Sequence, residues 1–111
     1  MTPKASPVLT NTHIEEIARL FGVLAEPSRL KILRALMEGS ATVTELIEAT
    51  GLKQGNVSKH LGVLLSARFV TRQQSGNFAR YSISDPKLKA LCNLMCGRVE
   101  SDAVGRVRAL R

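Results

Sequence analysis

Residues 51–61 read Gly-Leu-Lys-Gln-Gly-Asn-Val-Ser-Lys-His-Leu, and this stretch decides the architecture. Gly51 is the kind of residue that stops a helix, because it accepts a left-handed backbone without steric cost. Upstream of it, Thr42-Val43-Thr44-Glu45 fits a capping box, Thr followed three residues later by Glu, so a helix opens there and carries Leu46 and Ile47. Downstream of Leu52-Lys53 a second helix begins. Its apolar stripe is Val57, Leu61, Leu64 and Leu65, and Gln54, Asn56, Ser58, Lys59 and His60 crowd polar groups near its start. Two helices joined by a tight turn containing Gly, the second one polar at its N-terminal end, form the pattern of a helix-turn-helix.

The flanks extend this unit in both directions. Ile14, Ile17, Ala18, Phe21 and Leu24 recur at helical spacing and predict a first helix over about 13–25. Pro27 suits the first turn of a second helix, with Leu30, Leu33, Leu36 and Met37 on one side and Gly39 as its stop. After the fourth helix, two short β segments are expected near 69–73 and 80–83, with Ser75-Gly76-Asn77 as turn chemistry between them. Asp85-Pro86 then starts a last helix over about 86–103, with Leu88, Leu91, Cys92, Met95 and Val99 on one stripe. The expected fold is mainly α with a small β-hairpin wing, in the order α1-α2-α3-α4-β-β-α5. Residues 1–11, with two Pro, are expected to be a flexible arm, 12–104 the folded domain, and 105–111 a basic tail.

Sixteen Lys and Arg oppose nine Asp and Glu, for a net charge of +7. A domain pI above about 9 is the electrostatic footprint of a nucleic-acid binder. The absence of a long apolar run or a signal-peptide pattern points to a cytoplasmic protein without a membrane partner. In that compartment Cys92 and Cys96 are reduced by default. No Gly-rich phosphate loop, paired carboxylate cleft or nucleophile–base set stands out, so an enzyme is not expected.

Several of these residues also carry a resemblance. Leu24-Ala25-Glu26-Pro27-Ser28-Arg29-Leu30-Lys31-Ile32-Leu33 resembles the opening of ArsR-type (arsenic-repressor, SmtB-like) regulators, and residues 51–61 resemble their recognition helix. Leu64 to Val70 and Gly76 to Tyr81 are similar to the following helix end and wing. The resemblance spans about residues 13–100 and implies a homodimeric repressor that binds an inverted repeat in double-stranded DNA, its first and last helices forming the dimer interface. The family's arsenic site is often Cys-x-Cys at the start of the third helix, where this chain has Ala41-Thr42-Val43-Thr44-Glu45. Its zinc site in the last helix uses Asp, His and Glu, and here that helix has no His.

On this reading Gln54, Asn56 and Lys59 approach base edges, since Gln pairs with adenine and Lys with guanine. Ser58 and His60 contact phosphate or bases. Lys53 stands where the family commonly has Ser or Thr, exchanging a side-chain cap worth roughly 1 kcal/mol for a cation that reaches toward phosphate. Arg72 and Arg80 flank the hairpin tip and are expected at the minor groove or its phosphates, with Arg68 a further candidate of the same kind.

Cys92 and Cys96, four apart, share a helix face. Three readings stay open for them: buried packing, a soft-ion site for trivalent arsenic or antimony or another soft metal, and a thiol redox switch. A repressor that senses nothing, and a winged-helix module for protein–protein contact, are the competing functions. The basic set Lys53, Lys59, Arg72 and Arg80 argues against the latter.

Overall fold

The computed structural model describes residues 9–109, and the elements follow in the expected order. α1 spans Asn11–Leu24, α2 Pro27–Leu36, α3 Val43–Thr50, α4 Gln54–Ser66, β1 Val70–Ser75, β2 Phe78–Ile83 and α5 Pro86–Ala109.

Local chemistry sets most boundaries. α1 begins two residues before the sequence reading placed it, because Thr10 and His13 form a capping box. The His13 amide donates to Thr10 Oγ1 at 3.1 Å, and the Thr10 amide donates to His13 Nδ1 at 3.2 Å. Most of the expected arm lies outside the described residues, but Asn11 is helical. Glu26 caps α2 by accepting the Ser28 amide at 2.6 Å, with Pro27 in the first turn. The capping box of Thr42 and Glu45 opens α3, and Gly51, at φ 74°, closes it in the left-handed conformation. At the other end of the chain α5 continues through Ala109, so residues 105–109, read as tail, are helix; the rest of that tail lies outside the described residues.

α4 ends in a Schellman motif. The Arg68 amide donates to the Leu65 carbonyl and the Phe69 amide to the Leu64 carbonyl, both at 3.0 Å. The motif requires a left-handed residue, and Arg68 takes that role at φ 64° although it is not glycine. Ser84 Oγ donates to the Arg68 carbonyl at 2.6 Å, so the root of the hairpin is tied to this turn.

β1 and β2 pair antiparallel, from Val70 opposite Ile83 to Ser75 opposite Phe78, leaving Gly76 and Asn77 as a two-residue turn with Gly76 at positive φ. The edge of β2 is bridged in turn by Ala41, which exchanges two backbone hydrogen bonds with Tyr81, at 3.0 and 2.8 Å.

The core is formed by Ile32, Leu33 and Leu36 of α2, Leu46 of α3, Val57, Leu61 and Leu64 of α4, with Ala41, Val70, Tyr81 and Leu88 around them. Each fully buried aliphatic side chain contributes about 1.5–3 kcal/mol relative to exposure. Leu30, expected on the inner side of α2, is instead 44 % exposed. The inward arc of α2 is centred on Ile32, Leu33 and Leu36, and Leu30 falls outside it. No residue of α1 is buried, and among the described residues Ile14, Ile17 and Phe21 keep their helical spacing on an exposed face.

Candidate DNA-binding surface

α3 and α4 pack against α2, and this fixes which side of α4 faces outward. Val57, His60, Leu61 and Leu64 are buried, whereas Gln54, Asn56, Ser58 and Lys59 are exposed. Among the described residues none of these four outward side chains hydrogen-bonds to the rest of the protein. They offer amide, hydroxyl and ammonium groups on the first two turns of the helix, where a recognition helix meets base edges. Lys53 is the N-cap of α4 and makes no side-chain capping bond. The opening amides of α4 therefore lack a side-chain acceptor, at the end of the helix that carries the positive dipole.

His60, expected from the sequence to contact phosphate or bases, is turned inward. It is only 7 % exposed and lies three residues after Val57, a spacing that returns it to the same helix face. Its Nδ1 lies 3.2 Å from Nη1 of Arg29. A guanidinium can only donate, so Nδ1 accepts and the imidazole proton sits on Nε2. Arg29 Nε also donates to the Val23 carbonyl near the end of α1. One guanidinium thus joins α1, α2 and α4. The Glu26 carboxyl close by is held below the ordinary carboxylate range, chiefly by the Ser28 amide, with the charge of Arg29 adding to it.

On the wing the two arginines differ. Arg72 is exposed on β1, where Nη2 donates to Gln74 Oε1 at 3.3 Å. Arg80 is turned back onto the helical body. It bonds Ser40 and forms an ion pair of 3.2 Å with Glu45. The Glu45 carboxyl is held below the ordinary range, first by the Thr42 amide and then by Arg80. Arg68 is exposed at the far end of α4, about 18 Å along the axis from Asn56.

The cysteines sit apart from this surface, on α5. Cys92 is half-buried against the core, and burial pushes its thiol pKa up. Cys96 is exposed, 3.8 Å from Glu100 Oε1. Among the described residues no group of three or more His, Cys, Asp or Glu is placed to hold a metal ion. One chain therefore offers two thiols and not a complete ligand set. His13 is engaged as the capping partner of Thr10.

A helix-turn-helix with an outward polar face on its second helix, followed by a β-hairpin on the same core, defines a winged helix-turn-helix DNA-binding protein. Comparison with known proteins agrees. The family model "Bacterial regulatory protein, arsR family" matches residues 26–72. A "Probable mercury resistance operon repressor" of Streptomyces lividans is 39% identical over 83 residues, covering 75% of this chain and 66% of that protein. The "Uncharacterized HTH-type transcriptional regulator Rv0081" of Mycobacterium tuberculosis is 39% identical over 98 residues, covering 85% of this chain and 86% of that protein. Its crystal structure superposes with a TM-score of 0.74 at 36% identity over 86% of this chain and 99% of that one. The crystal structure of the AntR antimony-specific transcriptional repressor gives a TM-score of 0.77 at 32% identity, covering 90% of this chain and 91% of that one. The chain belongs to the arsR family of bacterial regulatory proteins. Members of this family are DNA-binding transcription regulators, not enzymes. Among the described residues no helix is long and apolar enough to cross a membrane.

Proposed function

We propose that this chain is a homodimeric transcriptional repressor that reads an inverted repeat through Gln54, Asn56, Ser58 and Lys59. The observation that carries the reading is the outward set of four unpartnered polar side chains at the start of α4, above a buried stripe that holds the helix in place. A single winged helix covers one half-site, and a twofold dimer covers two about one helical turn apart. Apolar surface for such a dimer is present: Ile14 and Phe21 on α1 and Met95 and Val99 on α5 are all more than half exposed in the single chain. Relatives named as repressors support the repressor reading, and a neighbour from Mycobacterium bovis named as a homodimeric winged helix-turn-helix domain shares the fold. Selection of duplexes from a randomised library by the wild-type protein tests it. An inverted repeat is expected, and Lys59→Ala weakens binding to it by about 1–3 kcal/mol. Sequence-independent enrichment, or an unaltered Lys59→Ala affinity, contradicts the reading.

Release from DNA is assigned to the thiols of Cys92 and Cys96. The pair lies on the helix that extends the dimer surface, next to Met95 and Val99, and mercury and antimony appear in the names of relatives. Thiolates favour soft ions such as trivalent arsenic or antimony. Two sulfurs per chain leave such a site to be completed by the partner subunit. Titration of the reduced protein with arsenite, antimonite, cadmium, zinc and a mild oxidant, with DNA release followed for each, separates an ion sensor from a redox switch. Cys92→Ser with Cys96→Ser retains DNA affinity and abolishes release. A double variant still released by the same agent, or one that falls apart to monomers, contradicts the assignment.

A further inference from the structure

We infer that Arg80 is a positioning residue that locks the wing to the helix-turn-helix, and not one of the cations that neutralise DNA phosphate. The inference rests on the DNA-reading surface proposed above.

Arg80 sits on β2 opposite Gln73, one residue before Tyr81. Tyr81 is already stapled to Ala41 by two backbone hydrogen bonds, so the connection between α2 and α3 runs along the edge of the wing. Arg80 extends that contact with its side chain. Nε donates to Ser40 Oγ at 3.1 Å, and Nη2 donates to the Ser40 carbonyl at 3.0 Å and to Glu45 Oε1 at 3.2 Å. The same Oε1 accepts the Thr42 amide at 2.9 Å. A single carboxylate oxygen therefore closes the N-terminus of α3 and holds the wing.

An exposed ion pair alone contributes little. Here the planar guanidinium fork spans three acceptors on two residues of the helical body, a geometry that an ammonium cannot reproduce. Its charge is also met by Glu45, which leaves less of it for phosphate. Arg80 is separated from Ser40 and Glu45 by 40 and 35 positions, so the contact fixes the angle between hairpin and helices and is not a local feature of the strand.

The two roles make different predictions for Glu45→Gln. If Arg80 were a phosphate contact held back by Glu45, removing the carboxylate would free it, tighten DNA binding and steepen the salt dependence. If Arg80 positions the wing, Gln Oε1 still accepts from Nη2 and the two Ser40 bonds are untouched, so the same change leaves affinity and salt slope near those of wild type. Gln retains the capping box, so α3 still starts at the same place.

The experiment is an anisotropy titration of the full chain, across a salt series, against a duplex enriched by the wild-type protein. It compares Glu45→Gln, Arg80→Ala, Arg80→Lys and Lys59→Ala, with thermal unfolding run on each. The expected result is that Arg80→Ala and Arg80→Lys each lose roughly 3- to 10-fold in affinity while Glu45→Gln stays within about 2-fold of wild type, all with the log–log salt slope of wild type. Glu45→Gln binding more than about 3-fold tighter than wild type with a steeper slope overturns the inference, as does an Arg80→Ala slope reduced by about 0.9, one phosphate contact's worth. A Lys59→Ala protein that binds like wild type removes the DNA-reading premise, and the inference with it, and is distinguishable from both.

Discussion

Arg68→Gly is expected to stabilise the protein, because the wild-type chain holds an L-residue where the α4 Schellman motif requires a left-handed one. At φ 64° the Cβ of Arg68 crowds the neighbouring carbonyl, and this conformation costs about 1–2 kcal/mol for a non-glycine residue. Glycine removes that cost but gives back about 0.5–1 kcal/mol through the larger entropy of its unfolded chain. The net gain is about 0.5–1 kcal/mol. For a domain of this size about 1 kcal/mol moves Tm by about 4–8 °C, so the variant should melt about 3–6 °C higher. The two amide bonds to Leu65 and Leu64 are backbone bonds and survive the substitution. Thermal unfolding by circular dichroism measures the shift, at matched protein concentration because assembly makes Tm depend on concentration. Arg68→Ala is the control: it removes the side chain, keeps the strained backbone and should not stabilise. A glycine variant melting at or below wild type would mean that the left-handed Arg68 backbone carries no such cost.

Two further outcomes test individual side chains. Lys53→Ser supplies α4 with the capping acceptor it lacks, so stability rises by about 1 kcal/mol while the log–log salt slope of DNA binding falls by about 0.9; a rise in stability with an unchanged slope would mean that Lys53 does not meet phosphate. His60→Ala leaves the Arg29 guanidinium short of its acceptor and costs about 1–3 kcal/mol in urea unfolding, whereas Lys59→Ala stays within about 0.5 kcal/mol of wild type; equal unfolding midpoints for the two variants would argue that His60 is not a packing residue.

Local signals carried the order of elements. Pro27, the Thr42–Glu45 box, Gly51, the Gly76-Asn77 turn and Asp85-Pro86 each act through their own backbone or a neighbour within a few residues, and each lies at the boundary it predicts. Three features were less legible. His13 is an unusual partner in a capping box, so the sequence alone does not mark the start of α1 at Asn11. His60 is polar and surrounded by polar residues in the sequence, but its spacing from Val57 and Leu64 places it with the core; attention to helical period rather than residue type would have found it. Arg80 could not be placed from sequence at all. Its partners, Ser40 and Glu45, lie on another element and meet it only once Tyr81 has paired with Ala41. Glu45 was legible as a cap, but its second use on the wing was not. The apolar stripe of α1 was legible as a stripe, and the single chain does not bury it.

Base reading by the exposed start of α4 underlies the proposed function. It is tested most directly by a base-by-base substitution scan of the selected duplex, titrated with wild-type protein and with Gln54→Ala. Wild type is expected to lose about 1–3 kcal/mol at each contacted base pair, and Gln54→Ala to become indifferent at one position in each half-site while keeping the wild-type profile elsewhere. A Gln54→Ala profile parallel to wild type at every position would contradict it.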